Sequence, residues 1–450
     1  MRRSAVDTYA SPMRRVALAC LVGSAVEFYD FFIYGTAAAL VFPTVFYPQL
    51  SPTMATVASM GTFATAFLSR PLGAAVFGHF GDRLGRKRTL VVTLLIMALS
   101  TVTVGLVPGT ATVGIAAPLI LITLRLLQGF AVGGEWAGSA LLSAETAPAE
   151  RRGRYGMFTV IGGGIALVLS SLTFLGVNLT IGERSSAFMT WGWRLPFLFS
   201  GVLIAIALYV RLNIKETPVF ARQESPNAAS GTPFAQVLRM QRREVVLAAG
   251  CVLGCFGLVY LASTYLTAYA ATHLGYSRNV ILLVGALGGL MCIAAAALTS
   301  TLCDRFGRRR VLLVCWAVGV PWALLVMPMV DSGDVTLFAV AIGGLFALDG
   351  AVFWPVTAFV PELFPTRYRY TGTALSVNVA GVIGGAVPPL IADPLLEHYG
   401  SWAIGLMMAT LALVSLLATY LLPETNGIAL FERVTKPAQL ACSSALSAMP

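Results

Sequence analysis

Two carboxylates, Glu27 and Asp30, interrupt an apolar stretch near the start of the chain, in the segment AVEFYDFFIYG. Residues three apart on a helix lie on one face. A charged acid in the middle of a membrane-spanning helix costs roughly 2.5–3.5 kcal/mol, and two nearby carboxylates in a low dielectric disfavour a double charge. We therefore predict that Glu27 and Asp30 bind protons. The alternative is a structural pair neutralised by an arginine on a neighbouring helix.

A second polar group lies in a later apolar stretch and consists of Arg125, Gln128 and Glu135. Gln128 and Glu135 are two helical turns apart, and Arg125 lies about 60° round the helix from Gln128, so all three could line one wide cavity. A guanidinium keeps its proton, so Arg125 needs a carboxylate from the protein or from a substrate. Gln128 is a candidate substrate ligand, and Glu135 fits either proton coupling or a cytoplasmic gate.

Other polar residues inside apolar stretches are candidates for the substrate site. Arg70, next to Pro71, could bind a substrate carboxylate or extend to the cytoplasmic surface, and Asp349 is an acid in the middle of a span in the second half. Neutral candidates, for which helix packing is the alternative, are Tyr34, Tyr260, Tyr265 and Asn378. Four intramembrane acids against two arginines leave an excess negative charge, which protons, or sodium, would neutralise.

The elements that must hold these residues are membrane-spanning helices. The 450 residues are 57% hydrophobic and 11% charged, whereas soluble proteins carry about 25% charged residues. Twelve stretches are long enough to span a bilayer, and lipid offers unpaired backbone groups no partner, which favours helices. The predicted spans are 16–40, 54–80, 89–107, 114–143, 155–178, 194–213, 244–272, 279–302, 311–330, 334–360, 371–392 and 401–422.

The net charge of +10 reports membrane topology rather than a nucleic-acid partner. Lys and Arg concentrate in alternate loops, which by the positive-inside rule places both termini in the cytoplasm. The seven cysteines and three histidines show no metal-ligand spacing, and no phosphate-binding loop motif is present. We predict no metal, no cofactor and no enzymatic activity. Gly162, Gly163 and Gly164 are typical of a close helix-packing surface.

Internal repeats divide the chain into two six-span halves. GDRLGRKR at 81–88 returns as CDRFGRRR at 303–310, and Glu145 aligns with Glu362 in loops two spans later. Such halves enclose a central substrate site and rock about it in alternating access. The predicted organisation is a cytoplasmic N-terminus (1–15), an N-terminal half (16–213), a cytoplasmic linker (214–243), a C-terminal half (244–422) and a cytoplasmic tail (423–450).

Two motifs resemble those of the major facilitator superfamily. They are the loop pattern G-x-x-x-D-R-x-G-R-K-R at 78–88 and the R-x-x-Q-G pattern at 125–129. More narrowly, VEFYDFFIYGTAAALVFPTVFYP, SRPLGAAVFGHFGDRLGRK and LLQGFAVGGEWAGSALLSAE resemble the metabolite:proton symporter family of that superfamily, which includes transporters for shikimate, 2-oxoglutarate, citrate and proline/betaine. The second-half loop departs from the motif, because Ser300 stands where glycine would precede Asp304.

The resemblance implies an all-α integral membrane protein with the twelve-helix major facilitator fold, and a part in proton coupling for Arg125. We expect a monomeric, proton-coupled importer of a small organic anion such as shikimate, in the cell membrane. A proline/betaine symporter and a non-transporting membrane sensor are the alternatives. We also predict a cytoplasmic gate, in which basic loop residues pair with acids when the inside is shut. Its members are Asp82, Arg83, Arg86, Glu145, Asp304, Arg308 and Glu362.

Overall fold

Twelve long helices account for most of the chain in a computed structural model that describes residues 13–84, 86–146, 152–182, 185–212, 233–365 and 368–425. They are α1 (Met13–Leu40), α2 (Pro52–Leu84), α3 (Arg86–Leu106), α4 (Ala116–Thr146), α5 (Arg152–Ile181), α6 (Leu195–Leu212), α7 (Arg242–Thr272), α8 (Arg278–Phe306), α9 (Arg308–Asp331), α10 (Val335–Leu363), α11 (Arg369–Tyr399) and α12 (Trp402–Leu421). Short helices span Phe42–Phe46, Thr110–Val113, Ser186–Thr190, Gly192–Arg194 and Pro233–Met240.

The twelve predicted spans are confirmed as helices. Predicted and observed ends differ by no more than four residues, except that α11 continues to Tyr399 rather than ending near 392. Within the described residues, α3 to α12 are long and apolar enough to cross a membrane by composition alone. The other two, α1 and α2, have 28 and 33 residues. They carry three of the charged candidates, Glu27, Asp30 and Arg70, among their apolar residues.

The first six and last six helices contact each other most extensively along two seams. One seam joins α5 to α8, and the other joins α2 to α11. Glycines permit the close approach: a Cβ on Gly289 of α8 would lie 2.9 Å from the carbonyl oxygen of Gly164 in α5, and one on Gly385 of α11 would lie 2.6 Å from the Phe67 ring of α2.

The predicted packing surface at residues 162–164 is confirmed. A Cβ on Gly162 would lie 2.6 Å from the carbonyl oxygen of Leu21 in α1, and one on Gly164 would lie 2.5 Å from Ile293 of α8. A Cβ on Gly163 would lie 3.5 Å from the Phe28 ring, which is an ordinary contact distance. The three glycines therefore let α5 pack against a helix of its own half and a helix of the other half.

Two helices of the second half are interrupted where they face the centre. α7 contains a π-helical turn at Leu261–Tyr265, and α11 contains one at Gly381–Ala386. Such turns occur often at functional sites because they change the direction in which side chains project. Part of the predicted linker is also helical: the Pro233–Met240 helix leads directly into α7. The remainder of the linker, 214–232, and the tail beyond 425 lie outside the described residues.

Candidate functional site

A small cavity lies where α1, α2, α4, α7 and α11 meet, so both halves contribute to its wall. Its lining residues are Glu27, Phe28, Phe31, Arg70, Val132, Phe256, Ala374, Val377 and Asn378. The cavity measures about 10 Å³, which is room for roughly one water molecule. The structure is therefore closed around this site, and a solute could occupy it only after the halves move apart.

Close contact between α2 and α4 positions the two buried arginines. A Cβ on Gly129 would lie 1.8 Å from the carbonyl oxygen of Ala66, and one on Gly133 would lie 2.0 Å from that of Arg70. Any side chain at these positions would overlap the α2 backbone. The glycine of the R-x-x-Q-G pattern is therefore a packing requirement, and it brings Arg70 of α2 and Arg125 of α4 into one region.

The ring of Phe31 lies between these two guanidinium groups. The Cζ atom of Arg70 is 4.4 Å from the centre of the Phe31 ring, and that of Arg125 is 4.5 Å from it. Tyr34 stacks on Arg125 at 4.0 Å, and Phe67 stacks on Arg70 at 4.3 Å. Each cation is thus held against aromatic faces, a contact worth about 2 kcal/mol when desolvated.

Both arginines retain unused hydrogen-bond donors although they are buried. Arg125 is 0% exposed and Arg70 is 6% exposed. The Nε atom of each, and Nη2 of Arg125, have no hydrogen-bond partner, and the hydroxyl of Tyr260 lies beside the Arg70 guanidinium. That hydroxyl interacts electrostatically with both arginines and with Glu27. Unused buried donors are costly, and a bound carboxylate would satisfy guanidinium donors well.

A chain of hydrogen bonds connects Arg125 to Asp30 through the first half. Arg125 Nη1 donates to Gln128 Oε1 at 2.9 Å, and Gln128 Nε2 donates to Thr101 Oγ1 at 2.6 Å. Thr101 Oγ1 in turn donates to Asp30 Oδ2 at 2.7 Å, and Ser200 Oγ donates to Asp30 Oδ1 at 2.5 Å. Protonating Asp30 at Oδ2 would turn the acceptor of Thr101 into a donor, and the change would reach Arg125 through Thr101 and Gln128.

The structure gives the two acids of α1 different surroundings. Glu27 lines the central cavity with Arg70, whereas Asp30 accepts hydrogen bonds from α3 and α6 inside the first half. Both are buried, at 4% and 1% exposure. A separation of three residues leaves about 60° between two side chains, which is enough to direct them to different neighbours. The structure thus places Glu27 at the central cavity and Asp30 against α3 and α6, and the coupled titration of the two acids stays a prediction.

The remaining substrate candidates are distributed over four places. Asn378 lines the central cavity, and its Nδ2 donates to the carbonyl oxygen of Ala374 at 2.7 Å. Asp349 and Tyr260 line a second cavity beside it. Tyr34 donates its hydroxyl hydrogen to Thr62 at 2.9 Å. Tyr265 is buried in the π-helical turn of α7, where it interacts electrostatically with Asp393 of α11 rather than with the arginines.

Of the predicted cytoplasmic gate, the structure describes the side chains of the second-half members, Asp304, Arg308 and Glu362. Arg308 at the start of α9 forms an ion pair with Glu362 near the end of α10, and both are buried. Thr425 donates to Glu362 at 2.7 Å. These contacts all lie within the second half. Asp304, the third second-half residue of the predicted gate, is exposed. The side chains of Asp82, Arg83, Arg86, Glu135 and Glu145 lie outside the described part of the structure.

Glu424, which the sequence did not single out, closes the same corner. Its two carboxylate oxygens accept the backbone N–H groups of Arg308 and Arg309, each at 3.1 Å, and so cap the start of α9. Gly307 precedes this start with a φ of 92°, and a Cβ there would lie 2.7 Å from Glu424. Position 307 of the repeated loop motif therefore needs a glycine for two reasons. Its positive φ disfavours other residues, and a side chain would collide with the capping carboxylate of Glu424.

Comparisons with known proteins agree on one family. The model described as Major Facilitator Superfamily matches residues 20–389. The "Inner membrane metabolite transport protein YhjE" of Escherichia coli (strain K12) is 43% identical over 92% of this chain and 94% of the relative. The "Shikimate transporter" of the same organism is 37% identical over 92% and 96%. Its "Proline/betaine transporter" is 29% identical over 92% and 84%.

A solved structure shares the fold at low sequence identity. It is titled "Partially occluded inward open conformation of the xylose transporter XylE from E. coli" and superposes with a TM-score of 0.73 at 18% identity. The superposition covers 93% of this chain and 100% of that one. At 18% identity, this similarity shows only that the two chains share a fold.

Proposed function

Because this chain belongs to the Major Facilitator Superfamily, we propose that it imports a small organic anion together with a proton by alternating access. The chain is a multi-pass membrane transporter of metabolites and not an enzyme, in line with its relatives. A shikimate-like carboxylate is the first substrate to test, because the relative named as a shikimate transporter aligns over nearly the whole chain.

The observation that carries this proposal is the pair of buried arginines with unused donors. Arg70 borders a cavity between the halves, and Arg125 lies on the other face of Phe31. A substrate carboxylate that enters as the cavity widens can accept from Arg70 and from the neighbouring Tyr260 and Asn378. Gln128 keeps Arg125 connected to Asp30 rather than contacting the substrate, so we assign Gln128 to coupling.

Charge balance explains how the proton and the anion would be coupled. Glu27 and Asp30 together offset Arg70 and Arg125 when the site is empty. Binding an anion alone leaves the site with an extra negative charge, and protonating Asp30 alone leaves an extra positive charge. Either excess is unfavourable in a low-dielectric interior. Only the empty site and the site with both proton and anion are balanced, so these two states alone would cross readily between the two sides of the membrane.

The gate predicted from the loop motifs completes the cycle as part of the same proposal. Arg308 and Glu362 hold the cytoplasmic ends of α9 and α10 together as one unit. We propose that Asp82, Arg83, Arg86 and Glu145 form the matching unit of the first half, and that Glu135 lies close to it. The two units would separate when the site opens to the cytoplasm, while α5 and α8 remain in contact.

Uptake into proteoliposomes tests the function. Purified protein is reconstituted, and labelled shikimate, a labelled dicarboxylate and labelled betaine are offered with and without an inwardly directed proton gradient. We expect saturable uptake of the carboxylate that exceeds equilibrium only when the gradient is present. Gradient-independent equilibration would contradict coupling, and no uptake of any carboxylate would contradict the substrate class.

A proline- or betaine-type symporter is the second candidate, and one observation favours it. Phe28 and Phe256 border both central cavities, and aromatic faces bind quaternary ammonium groups. Betaine uptake without shikimate uptake in the same panel would select this alternative. Failure of all three compounds under every gradient would exclude both substrate classes.

A further inference from the structure

A second cavity lies beside the substrate cavity, between the two halves, and holds a single acid. Asp349 stands in the middle of α10, fourteen residues from either end of the helix. The cavity measures about 30 Å³. Its walls come from α1, α5, α7, α8 and α10, and the lining residues are Phe28, Phe32, Val160, Gly163, Gly164, Leu167, Cys255, Phe256, Val259, Tyr260, Cys292, Phe346, Asp349 and Phe353.

The carboxyl group of Asp349 is half-buried in the cavity wall, and among the described residues it has no positively charged partner and no hydrogen-bond donor. The residues that face it from α1 and α5 carry no titratable group. From α7 and α8 it is faced by the thiols of Cys255 and Cys292, which interact with it electrostatically, and by the phenol of Tyr260. None of these supplies a positive charge.

The arginines of the neighbouring cavity do not balance this acid, because Glu27 and Asp30 already offset them. An ionised carboxylate enclosed by aromatic and aliphatic groups without a partner is strongly disfavoured, so the acid is neutral whenever the cavity is closed. Asp349, Cys255 and Cys292 are not placed to hold a metal ion together, and no other such group of ligands occurs among the described residues. A proton is therefore the occupant that fits both the size and the chemistry of the cavity.

We propose that Asp349 is a second proton-binding site, which takes up a proton each time the two halves close over it. When the halves separate, water enters and the carboxylate can ionise again. The inference rests on the alternating-access cycle proposed above, and it assigns Asp349 a proton rather than a substrate. Because closure needs this proton whether the substrate site is full or empty, Asp349 makes closing dependent on pH without adding to the driving force.

Infrared spectroscopy of the purified protein tests the protonation directly and needs no substrate. The carbonyl stretch of a neutral carboxylic acid is compared in the wild type and in Asp349→Asn at neutral pH. The wild type should show a band that this variant loses. Asp334→Asn, which alters an exposed acid just before the same helix, should retain it. An unchanged band in Asp349→Asn would overturn the proposal, whatever the protein transports.

Exchange of labelled for unlabelled shikimate tests the consequence for closure. The measurement is made in an Asp30→Asn background, so that Asp30 does not contribute to the pH dependence. Exchange should decline as the pH rises, and adding Asp349→Asn should abolish that decline. If the double variant declines as before, or if it loses affinity for shikimate at every pH, the proposal fails, and the second result makes Asp349 a substrate ligand.

The two cysteines provide matched controls for this experiment. Cys255→Ser and Cys292→Ser each replace a titratable thiol in the same cavity by a hydroxyl of similar size. Both variants, made in the Asp30→Asn background, should keep the decline of exchange at high pH. Loss of the decline in either one would assign the pH dependence to that thiol and would overturn the role of Asp349.

Discussion

The ring of Phe31 contacts both the proposed substrate arginine, Arg70, and the proposed coupling arginine, Arg125. Its ring is within 4.5 Å of both guanidinium carbons, and it is 2% exposed. Phe67, by contrast, stacks on Arg70, and the structure gives it no such contact with Arg125. These two phenylalanines therefore allow the substrate contact and the coupling contact to be tested separately.

Phe31→Leu removes one aromatic face from each arginine, at a cost of about 2 kcal/mol per contact. We expect it to weaken substrate affinity by at least tenfold and to shift the pH profile of uptake as well. Phe67→Leu should weaken affinity alone. The measurement is KM and Vmax for uptake over a range of pH. Equal pH profiles for the wild type and Phe31→Leu would show that Phe31 does not connect the two arginines.

The sequence identified the charged members of the site but not their neutral partners. Glu27, Asp30, Arg70 and Arg125 stood out because charge is rare inside apolar helices. Thr101 and Ser200, which hold Asp30, did not. Hydroxyl side chains are frequent in membrane helices, where most bond to their own backbone, and which of them reaches another helix depends on packing that spacing along the chain does not give.

At the scale of helices, α10 carries two of the proposed functional acids and begins with a defined cap. The carboxylate of Asp334 accepts the backbone N–H of Thr336 at 2.6 Å and that of Leu337 at 3.4 Å. These bonds favour the charged form, chiefly through the Thr336 backbone, and lower the pKa of Asp334. The cap therefore stabilises the fold above the unfolded-state pKa, and this contribution is lost as the pH falls through the folded-state pKa.

Asp334→Ala should lower the apparent melting temperature of the detergent-solubilised protein at neutral pH, because two backbone donors lose their acceptor. The difference from the wild type should shrink below about pH 4, where an aspartate with an ordinary pKa is already protonated. Asp334→Asn is the control, since asparagine caps equally well, and it should stay close to the wild type. A difference in melting temperature that does not change with pH would show that the cap does not depend on the charge of Asp334.

The seam between α5 and α8 requires the absence of a side chain at Gly289. A Cβ there would lie 2.7 Å from Val168 and 2.9 Å from the Gly164 carbonyl oxygen. Gly289→Ala should force the helices apart, at about 1–3 kcal/mol, and slow exchange by tenfold or more. Gly176→Ala on α5 is the control, because nothing lies within 4 Å of that position. Wild-type exchange rates in Gly289→Ala would show that this seam does not limit the cycle.

Helix boundaries were predicted well because long apolar runs and basic loops are strong signals of membrane spans. The π-helical turns of α7 and α11 were not predicted, because a single inserted residue leaves the apolar pattern nearly unchanged. The Glu424 cap was also missed. It depends on the chain folding back from the end of α12 to the start of α9, which are more than one hundred residues apart.

At the scale of the whole molecule, the proposed transport cycle depends on which combinations of proton and substrate leave the centre electrically balanced. The first half contributes Glu27, Asp30, Arg70 and Arg125, and the second half contributes Asp349 and Asn378 together with the described gate contacts of Arg308 and Glu362. The halves thus have unequal roles although their sequences repeat. In this proposal the first half couples the proton to the substrate, and the second half controls closure.

The most direct measurement is substrate movement in proteoliposomes that contain Asp30→Asn. This change fixes the residue in a neutral form, so the loaded site stays balanced while the empty site keeps an extra positive charge. We expect shikimate exchange within about twofold of the wild type, together with complete loss of accumulation driven by a proton gradient. Asp393→Asn, another buried acid, should still accumulate shikimate. Wild-type, gradient-driven accumulation by Asp30→Asn would contradict the proposed coupling.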